Sequence, residues 1–126
     1  MFIARKPGLK YVHRTGVGDY DYDVTTLTQD GAWHVLDLSA IVPASAKLVL
    51  LRLAAAHGLK GKCFRVCKAG ESNIYACANV VTQVADVINE QTALVDCSGQ
   101  QIQYWATINV PYPFTLLWLV VLGWFL

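Results

Sequence analysis

The C-terminal segment, Phe114–Leu126, is the part of the chain that most restricts its possible folds. It contains no charged residue and a single hydroxyl group, that of Thr115. As a helix, its 13 residues would rise only about 20 Å, less than the roughly 30 Å apolar core of a bilayer. Pro111 and Pro113 oppose a longer helix, and no lysine or arginine flanks the run as an anchor. The segment is therefore predicted to be a buried β-strand and not a membrane span.

Turn-forming sequences recur every 8 to 14 residues, as in KPG, TQDG, HGLKGK and SGQ. This spacing is typical of all-β sandwiches and barrels. One segment, Lys47–Ala56, also contains good helix formers and is followed by Gly58, as the end of a helix often is. We favour a strand, because a strand that is buried on both faces needs no alternation of apolar and polar residues. The sequence predicts an all-β, antiparallel, jelly-roll-like β-sandwich of eight or nine short strands. Residues 1–30 would form an N-terminal arm and the first strands, and residues 31–126 the sandwich, in a single domain.

Charged residues are scarce in this chain. They make up 15% of it, against about 25% in a typical protein, while hydrophobic residues make up 55%. We therefore expect much of the surface to be buried against copies or partners. The net charge of +1 provides no attraction for nucleic acid, which is not expected as a partner. Arg5, Lys6 and Pro7 occupy positions where a secretory signal would be apolar, so we expect the chain to stay in the cytoplasm where it is made.

Both faces of the predicted C-terminal strand are apolar. One face carries Phe114, Leu116, Trp118, Val120, Leu122 and Trp124, and the other carries Leu117, Leu119, Val121 and Phe125. Outer strands of a sandwich are usually polar on one face. We therefore predict that one face lines the core, and that the second, Leu117, Leu119, Val121 and Phe125, is an interface buried by another subunit or a partner. A closed cyclic homo-oligomer follows, and among such assemblies we expect a trimer.

No residue pattern of an enzyme is present. The chain lacks Gly-x-Ser-x-Gly, His-Glu-x-x-His and phosphate-loop sequences, and His13, His34 and His57 are not spaced as metal ligands. We predict no catalytic residue, no metal and no cofactor.

One acidic stretch, GDYDYDV, places three carboxylates on one face of a strand. The residues are Asp19, Asp21 and Asp23. Calcium takes six to eight oxygen ligands, but this stretch lacks the glycine and glutamate of a helix-loop-helix calcium loop. A solvated strand face is the favoured interpretation.

The four cysteines, Cys63, Cys67, Cys77 and Cys97, allow three pairings into two disulfides. On a strand, Cys63 and Cys67 lie roughly 13 Å apart, too far for one bridge. A reducing cytoplasm favours free thiols buried in the interior. Two disulfides and a zinc site remain as alternatives.

Five aromatic side chains lie at or near predicted strand ends: Trp33, Tyr75, Tyr104, Trp105 and Tyr112. Exposed aromatic rings could stack on sugar rings, while core packing is the commoner role for each of them alone.

Three longer stretches carry a family resemblance: AWHVLDLSAIVPASAKLVLLRL, FRVCKAGESNIYACANVVTQVADV and the terminal LVVLGWFL. The chain resembles small β-sandwich virion proteins of tailed phages and prophages, of the capsid decoration or fibre-tip type. In that group a Trp-x-x-Leu-Asp-Leu-Ser opening leads into a Val-Pro-x-x-Ala-Lys bend, and a Gly-Trp pair closes the chain. The matching residues here are Trp33, Leu36 to Ser39, Val42, Pro43, Ala46, Lys47, Gly123 and Trp124. The likeness leaves out residues 1–30.

The resemblance implies a structural virion protein assembled in the host cytoplasm. A decoration or cement protein would bind the major capsid protein as a homotrimer and stabilise the shell. The basic N-terminal residues Arg5, Lys6, Lys10 and Arg14 could then contact the capsid, or they could be the charged ends of an edge strand that block aggregation.

The alternative within the same resemblance is a receptor- or carbohydrate-binding module at a tail or head fibre tip. The fold alone cannot choose between the two roles. A fibre tip should show exposed aromatic and acidic residues at one end of the sandwich, and a decoration protein should show a broad apolar and polar face.

Overall fold

A computed structural model gives the fold of the protein and describes residues 8–126. Nine strands lie within these residues: β1 (Tyr11–His13), β2 (Tyr22–Asp23), β3 (Trp33–Asp37), β4 (Leu48–Ala56), β5 (Cys63–Lys68), β6 (Ala78–Val81), β7 (Asn89–Asp96), β8 (Gln101–Ala106) and β9 (Leu116–Phe125). Two 3-10 helices, Ile74–Ala76 and Ser98–Gln100, are the helical turns of this part of the chain. No helix in residues 8–126 is long and apolar enough to cross a membrane.

The strands form two antiparallel sheets. A five-stranded sheet has the order β1-β9-β4-β7, with β2 also paired to β9, and a four-stranded sheet has the order β3-β8-β5-β6. From β3 to β9 the chain changes sheet at every connection except the β5–β6 hairpin, which is the topology of a jelly roll. The predicted all-β sandwich is confirmed. The ambiguous Lys47–Ala56 segment is a strand, β4, from Leu48.

The core lies between the two sheets. The five-stranded sheet contributes Val49, Leu51, Leu53, Leu117, Leu119 and Val121, and the four-stranded sheet contributes Leu36, Phe64, Val66, Val80, Ile102 and Tyr104. The one polar group at the end of Tyr104 is satisfied, since its hydroxyl accepts a hydrogen bond from the Thr28 N–H at 2.7 Å.

A β-bulge near the end of β9 changes which side chains face the core. Leu51 pairs with Val121 but Leu50 pairs with Gly123, which leaves Leu122 as an extra residue. Beyond the bulge, Trp124 packs against the core. Phe125 is paired with Leu48 and lies on the opposite side of the sheet.

The predicted interface on β9 was assigned to the wrong face. Leu117, Leu119 and Val121 are 1%, 0% and 0% exposed and belong to the core of their own chain, so they cannot contact a partner. Of the four predicted residues, Phe125 alone is on the outer side, because the bulge reverses the alternation before it. Alternation could not identify the core face, since both faces of the segment are apolar.

Candidate interaction surfaces

The five-stranded sheet has an apolar outer side, which we call the outer face. Its outward apolar side chains are Tyr11, Leu48, Leu50, Ala54, Leu94, Leu116, Trp118, Val120, Leu122 and Phe125, and the polar residues Arg52, Glu90, Thr92 and Asp96 lie on the same side. Leu94 is 55% exposed, and Leu48, Leu50 and Phe125 are half-buried. The outer side of an antiparallel sheet in a monomer is usually polar. This face is therefore a candidate interaction surface.

Residues 14–21 of the same chain, the crossing segment, cover part of the outer face. β1 and β2 both pair with one edge of β9, and the chain between them passes over the sheet. The Tyr20 ring stacks on Trp118, with centroids 4.7 Å apart and ring planes 9° apart. Trp118 and Val120 are consequently buried in a small outer cluster with Ala54. The second apolar face of β9 is thus partly covered within the chain.

An ion pair fixes the two ends of the crossing segment. Arg14 Nη1 donates to both carboxylate oxygens of Asp21, at 2.8 and 2.7 Å. Asp21 Oδ2 also accepts from the Val121 N–H at 2.7 Å, which ties the segment to β9.

The predicted capsid-contact residues that the structure describes differ in their surroundings. Arg14 is paired with Asp21, seven residues further along the chain, and its role in capsid contact stays a prediction. Lys10 is exposed, as a contact residue would need to be. Arg5 and Lys6 lie outside the described residues.

A shallow cavity of about 270 Å³ lies between the crossing segment and the outer face. Its lining includes Val17, Asp19, Tyr20, Arg52, Val120 and Leu122. The lining is mainly apolar and carries one acidic and one basic side chain. No group of reactive side chains converges there, so the cavity is an extension of the outer face.

A second apolar surface is formed at one end of the sandwich, where β4, β6 and β8 finish and β5, β7 and β9 begin. Loops 57–62, 82–88 and 107–115 meet at this end. Their exposed large apolar side chains, which we call the loop end, are Leu59, Val84, Val87, Ile88, Ile108, Val110 and Tyr112. Exposures run from 38% for Leu59 to 61% for Val110. A set of this size on one surface usually marks an interaction site.

Buried His57 connects the three loops of the loop end, two of them through its side chain and the third through its backbone carbonyl. Its Nδ1 accepts from the Leu59 N–H at 2.9 Å, and its Nε2 lies 3.0 Å from the Tyr112 carbonyl oxygen. Because Nδ1 accepts, the ring proton is on Nε2 and is donated to Tyr112. The two rings also stack, with centroids 5.0 Å apart, and the Asp86 N–H donates to the His57 carbonyl at 2.8 Å. The exposed apolar side chains are therefore held on a hydrogen-bonded frame.

The loop end was not predicted from the sequence. The residues of VVTQVADV favour a strand by their composition, but β6 ends at Val81, and Val84 and Val87 lie in a loop. The available signal was a loop rich in valine and isoleucine where glycine, asparagine and serine are usual.

The aromatic candidates for sugar stacking are not all accessible. Tyr104 is in the core, and Tyr112 belongs to the loop end. Tyr75 is 92% exposed on the β5–β6 loop. These three side chains lie in different parts of the molecule and do not form a common site.

Trp33 and Trp105 are neighbours on the outer side of the four-stranded sheet. They are directly opposed across β3 and β8, and both are half-buried. The Arg65 guanidinium lies over the Trp105 ring, 4.5 Å from its centroid, and its Nε donates to Asn79 Oδ1 at 2.8 Å. This is an aromatic patch with polar groups beside it.

The carboxylates of the GDYDYDV stretch do not converge on a cation site. Asp21 is paired with Arg14, while Asp23 accepts hydrogen bonds from the Thr25 side chain and backbone that lower its pKa. Asp19 accepts from the backbone N–H of the next residue. Within residues 8–126, no group of three or more potential metal ligands is present.

No protein-family model matches this chain, and no curated protein matches it. The two apolar surfaces and the aromatic patch are therefore the basis for a functional proposal.

Proposed function

We propose that this protein is a structural component of a phage virion, a capsid decoration protein that binds the assembled shell and stabilises it. The observation that carries the proposal is the loop end, where seven large apolar side chains remain exposed in the folded chain. A protein that acts alone in water rarely leaves so many apolar groups on one surface. The jelly-roll fold and the resemblance to small virion proteins support the same role, since capsid domains commonly use this fold.

Each surface is assigned one partner. The loop end contacts the major capsid protein, because it is apolar and firmly held, as a lasting protein contact requires. The outer face contacts other copies of this chain in a closed ring, a trimer. An Arg52–Glu90 ion pair of 2.7 Å borders the apolar part of this face, so the border carries both signs of charge and copies meet without net repulsion.

Two substitutions test the two surfaces separately. Val87→Asp places a charge on the loop end and Leu94→Asp places one on the outer face, at side chains that are more than half exposed. Both variants should fold. In co-sedimentation with shells that lack the protein, Val87→Asp should bind at least about tenfold more weakly, because burying a carboxylate without a partner is costly. In analytical ultracentrifugation, Leu94→Asp should shift the protein towards monomer.

The matched control is Val35→Asp, which changes an exposed valine on the outer side of the four-stranded sheet. It should alter neither shell binding nor oligomeric state. Unchanged shell binding by Val87→Asp would remove the loop end from the proposal. Particles assembled without the protein should break more readily under heat and osmotic shock, and equal resistance would contradict the decoration role.

A receptor- or carbohydrate-binding role at a fibre tip is the second candidate. The Trp33–Trp105 patch favours it, because paired aromatic rings beside Arg65 and Asn79 offer both stacking and hydrogen bonds to a sugar. Glycan-array binding that is lost in Trp33→Ala, together with a fibre-tip position in cryo-microscopy of whole particles, would favour this role over decoration.

A further inference from the structure

Cys67 and Cys77 face each other across the β5–β6 hairpin. The paired residues of this hairpin end with Val66 opposite Ala78, so the next residues in the same register are Cys67 and Cys77. Cys77 has φ −102° and ψ 147°, an extended backbone that continues the line of β6. Directly opposed residues of antiparallel strands point to the same side of the sheet, with Cβ atoms about 4.5–5.5 Å apart. The two thiols therefore share one face.

The two cysteines also occupy the closer kind of cross-strand position. The Thr82 N–H donates to the Lys62 carbonyl at 2.9 Å in the same register, so that pair is hydrogen-bonded. Hydrogen-bonded and non-hydrogen-bonded pairs alternate, and Cys67 is five residues from Lys62. The Cys77 N–H also shows that this pair is not hydrogen-bonded, since it donates to the Ile74 carbonyl at 3.2 Å and not to β5. Non-hydrogen-bonded pairs have Cα atoms about 4.5 Å apart, within the range of disulfides.

The β5–β6 loop shields one of the two thiols. Gln103 of β8 holds this loop, because its Oε1 accepts from the Gly70 N–H at 3.0 Å and its Nε2 donates to the Glu71 carbonyl at 2.7 Å. Gln103 Nε2 also lies 3.4 Å from Cys67 Sγ. Cys67 is buried and Cys77 is half-buried. A small reagent can therefore reach Cys77 first.

The pKa of Cys77 reflects its burial and its position opposite Cys67. Burial, with a smaller contribution from the Cys67 thiol on the facing strand, raises the pKa of Cys77 to about 12. The Glu71 carboxylate raises this pKa further, and the Arg65 guanidinium opposes the shift. In the reduced protein the Cys77 thiol donates to the Asn73 carbonyl oxygen at 3.5 Å, and this weak hydrogen bond must break before a disulfide forms.

We propose that Cys67 and Cys77 are an oxidative modification site that closes to an intramolecular disulfide when the protein meets a small-molecule disulfide of the glutathione type. Cys77 first loses its proton, and its sulfur attacks one sulfur of the small disulfide. A mixed disulfide forms and one small thiolate leaves. The deprotonated Cys67 sulfur then attacks the Cys77 sulfur and releases the second small thiolate. The protein loses two electrons and two protons, and the small disulfide gains both to become two thiols.

The other two cysteines lack such a partner. Cys63 is opposite Val81, and Cys97 is buried with its Sγ 3.7 Å from the Ala46 carbonyl oxygen. The Cys67–Cys77 bridge would close the base of the loop that exposes Ile74 and Tyr75. Oxidation would thus fix the position of these two side chains.

Peptide mapping of the full chain tests the proposal directly. The reduced protein is incubated with glutathione disulfide at about pH 8.5, the remaining thiols are alkylated, and the chain is cut with trypsin and a glutamate-specific protease. Cleavage after Lys62, Arg65, Lys68, Glu71 and Glu90 places each cysteine in its own peptide: 63–65, 66–68, 72–90 and 91–126. We expect peptide 66–68 linked to peptide 72–90, and alkylation of only Cys63 and Cys97. Four alkylated cysteines, or a bridge to another peptide, would overturn the proposal.

Two variants provide the controls. Cys63→Ser changes a cysteine on the same strand and should still form the bridge, with a midpoint of thermal unfolding raised by roughly 5–10 °C on oxidation. Cys77→Ser should keep all its thiols and show no rise. The peptide map of the unaltered chain decides the matter if Cys77→Ser does not fold.

The pH dependence of bridge formation identifies the first attacking thiol. Between about pH 7 and pH 9 the rate should rise nearly tenfold per pH unit, because the thiolate fraction of Cys77 does so. A rate that levels off within this range would show that Cys77 is not the thiol that attacks first.

Discussion

Gly123 shows how a single residue determines the approach of two strands. A Cβ at this position would lie 2.5 Å from the Val12 carbonyl oxygen and would also overlap the Tyr11 hydroxyl. Both residues belong to β1, which pairs with β9 here. The close approach of β1 and β9 leaves no space for a side chain at this position, which explains why a glycine interrupts the large apolar residues of β9.

Gly123→Ala should lower the free energy of unfolding by about 1–3 kcal/mol, because β1 must move away from β9 to admit the methyl group. Urea denaturation measures the change. Gly18→Ala is the control, since a Cβ at Gly18 meets nothing within 4 Å. Equal stability of the two variants would show that β1 does not constrain this position.

Tyr22 makes stability depend on pH in the alkaline range. Burial raises its pKa above the usual 10.0, and the charges of Asp21 and Asp37 add to the shift. The neutral hydroxyl donates to the Asp37 carbonyl at 3.1 Å. Since the folded-state pKa is the higher one, the stabilisation is complete below pH 10 and is lost as the pH rises through 10 towards the folded-state value.

Tyr22→Phe should therefore flatten the decline of stability between about pH 9 and pH 11, measured by urea denaturation at each pH. Tyr75→Phe, at an almost fully exposed site, should retain the wild-type slope. Identical slopes for wild type and Tyr22→Phe would contradict this role of Tyr22.

At the scale of elements, β9 explains the charge-free C-terminal segment. One of its edges pairs with β4 along nearly its whole length, and the other pairs with β1 and β2. One face lines the core, and the crossing segment covers part of the other. Neither the edges nor the faces of this strand leave much room for a charged side chain.

Leu119→Asp should prevent folding, because Leu119 is fully buried and an unpaired carboxylate there would cost roughly 5 kcal/mol or more, comparable to the stability of a whole domain. Circular dichroism and urea denaturation report the loss. Thr92→Asp places the same charge on the same sheet, but at an exposed residue opposite Arg52, and should fold normally. A folded Leu119→Asp variant would contradict the core assignment of this face.

At the scale of the whole molecule, the jelly roll brings together loops that are far apart in the chain. His57 and Tyr112 are 55 residues apart, yet they stack and share a hydrogen bond. The loop end is thus a product of topology, as is the burial of His57.

His57→Ala should lower the free energy of unfolding by about 2 kcal/mol, because the Leu59 N–H and the Tyr112 carbonyl lose their partner. Hydrogen exchange should accelerate in loops 57–62 and 107–115, which the His57 side chain joins, and stay unchanged near Leu38. His13→Ala, at an exposed residue, should change neither stability nor exchange in these loops. Unaltered exchange in His57→Ala would show that the loops hold their positions without the histidine.

Local sequence patterns were sufficient for the fold class. Turn spacing predicted the strands of a sandwich, and the uncharged run Phe114–Leu126 predicted a buried final strand. The prediction of a strand and not a helix at Lys47–Ala56 is confirmed, with β4 beginning at Leu48. These features depend on residue types within a short window, where backbone preference and hydrophobicity act directly.

The candidate surfaces depended on contacts between distant parts of the chain. Both faces of β9 are apolar, so only packing against the second sheet selects Leu117, Leu119 and Val121 for the core. The bulge at Leu122 then moves Phe125 to the outer face, and its position is set by pairing with β4, about 70 residues earlier. Register between distant strands has no local sequence signal, because it is determined by the sum of side-chain contacts across the whole sheet.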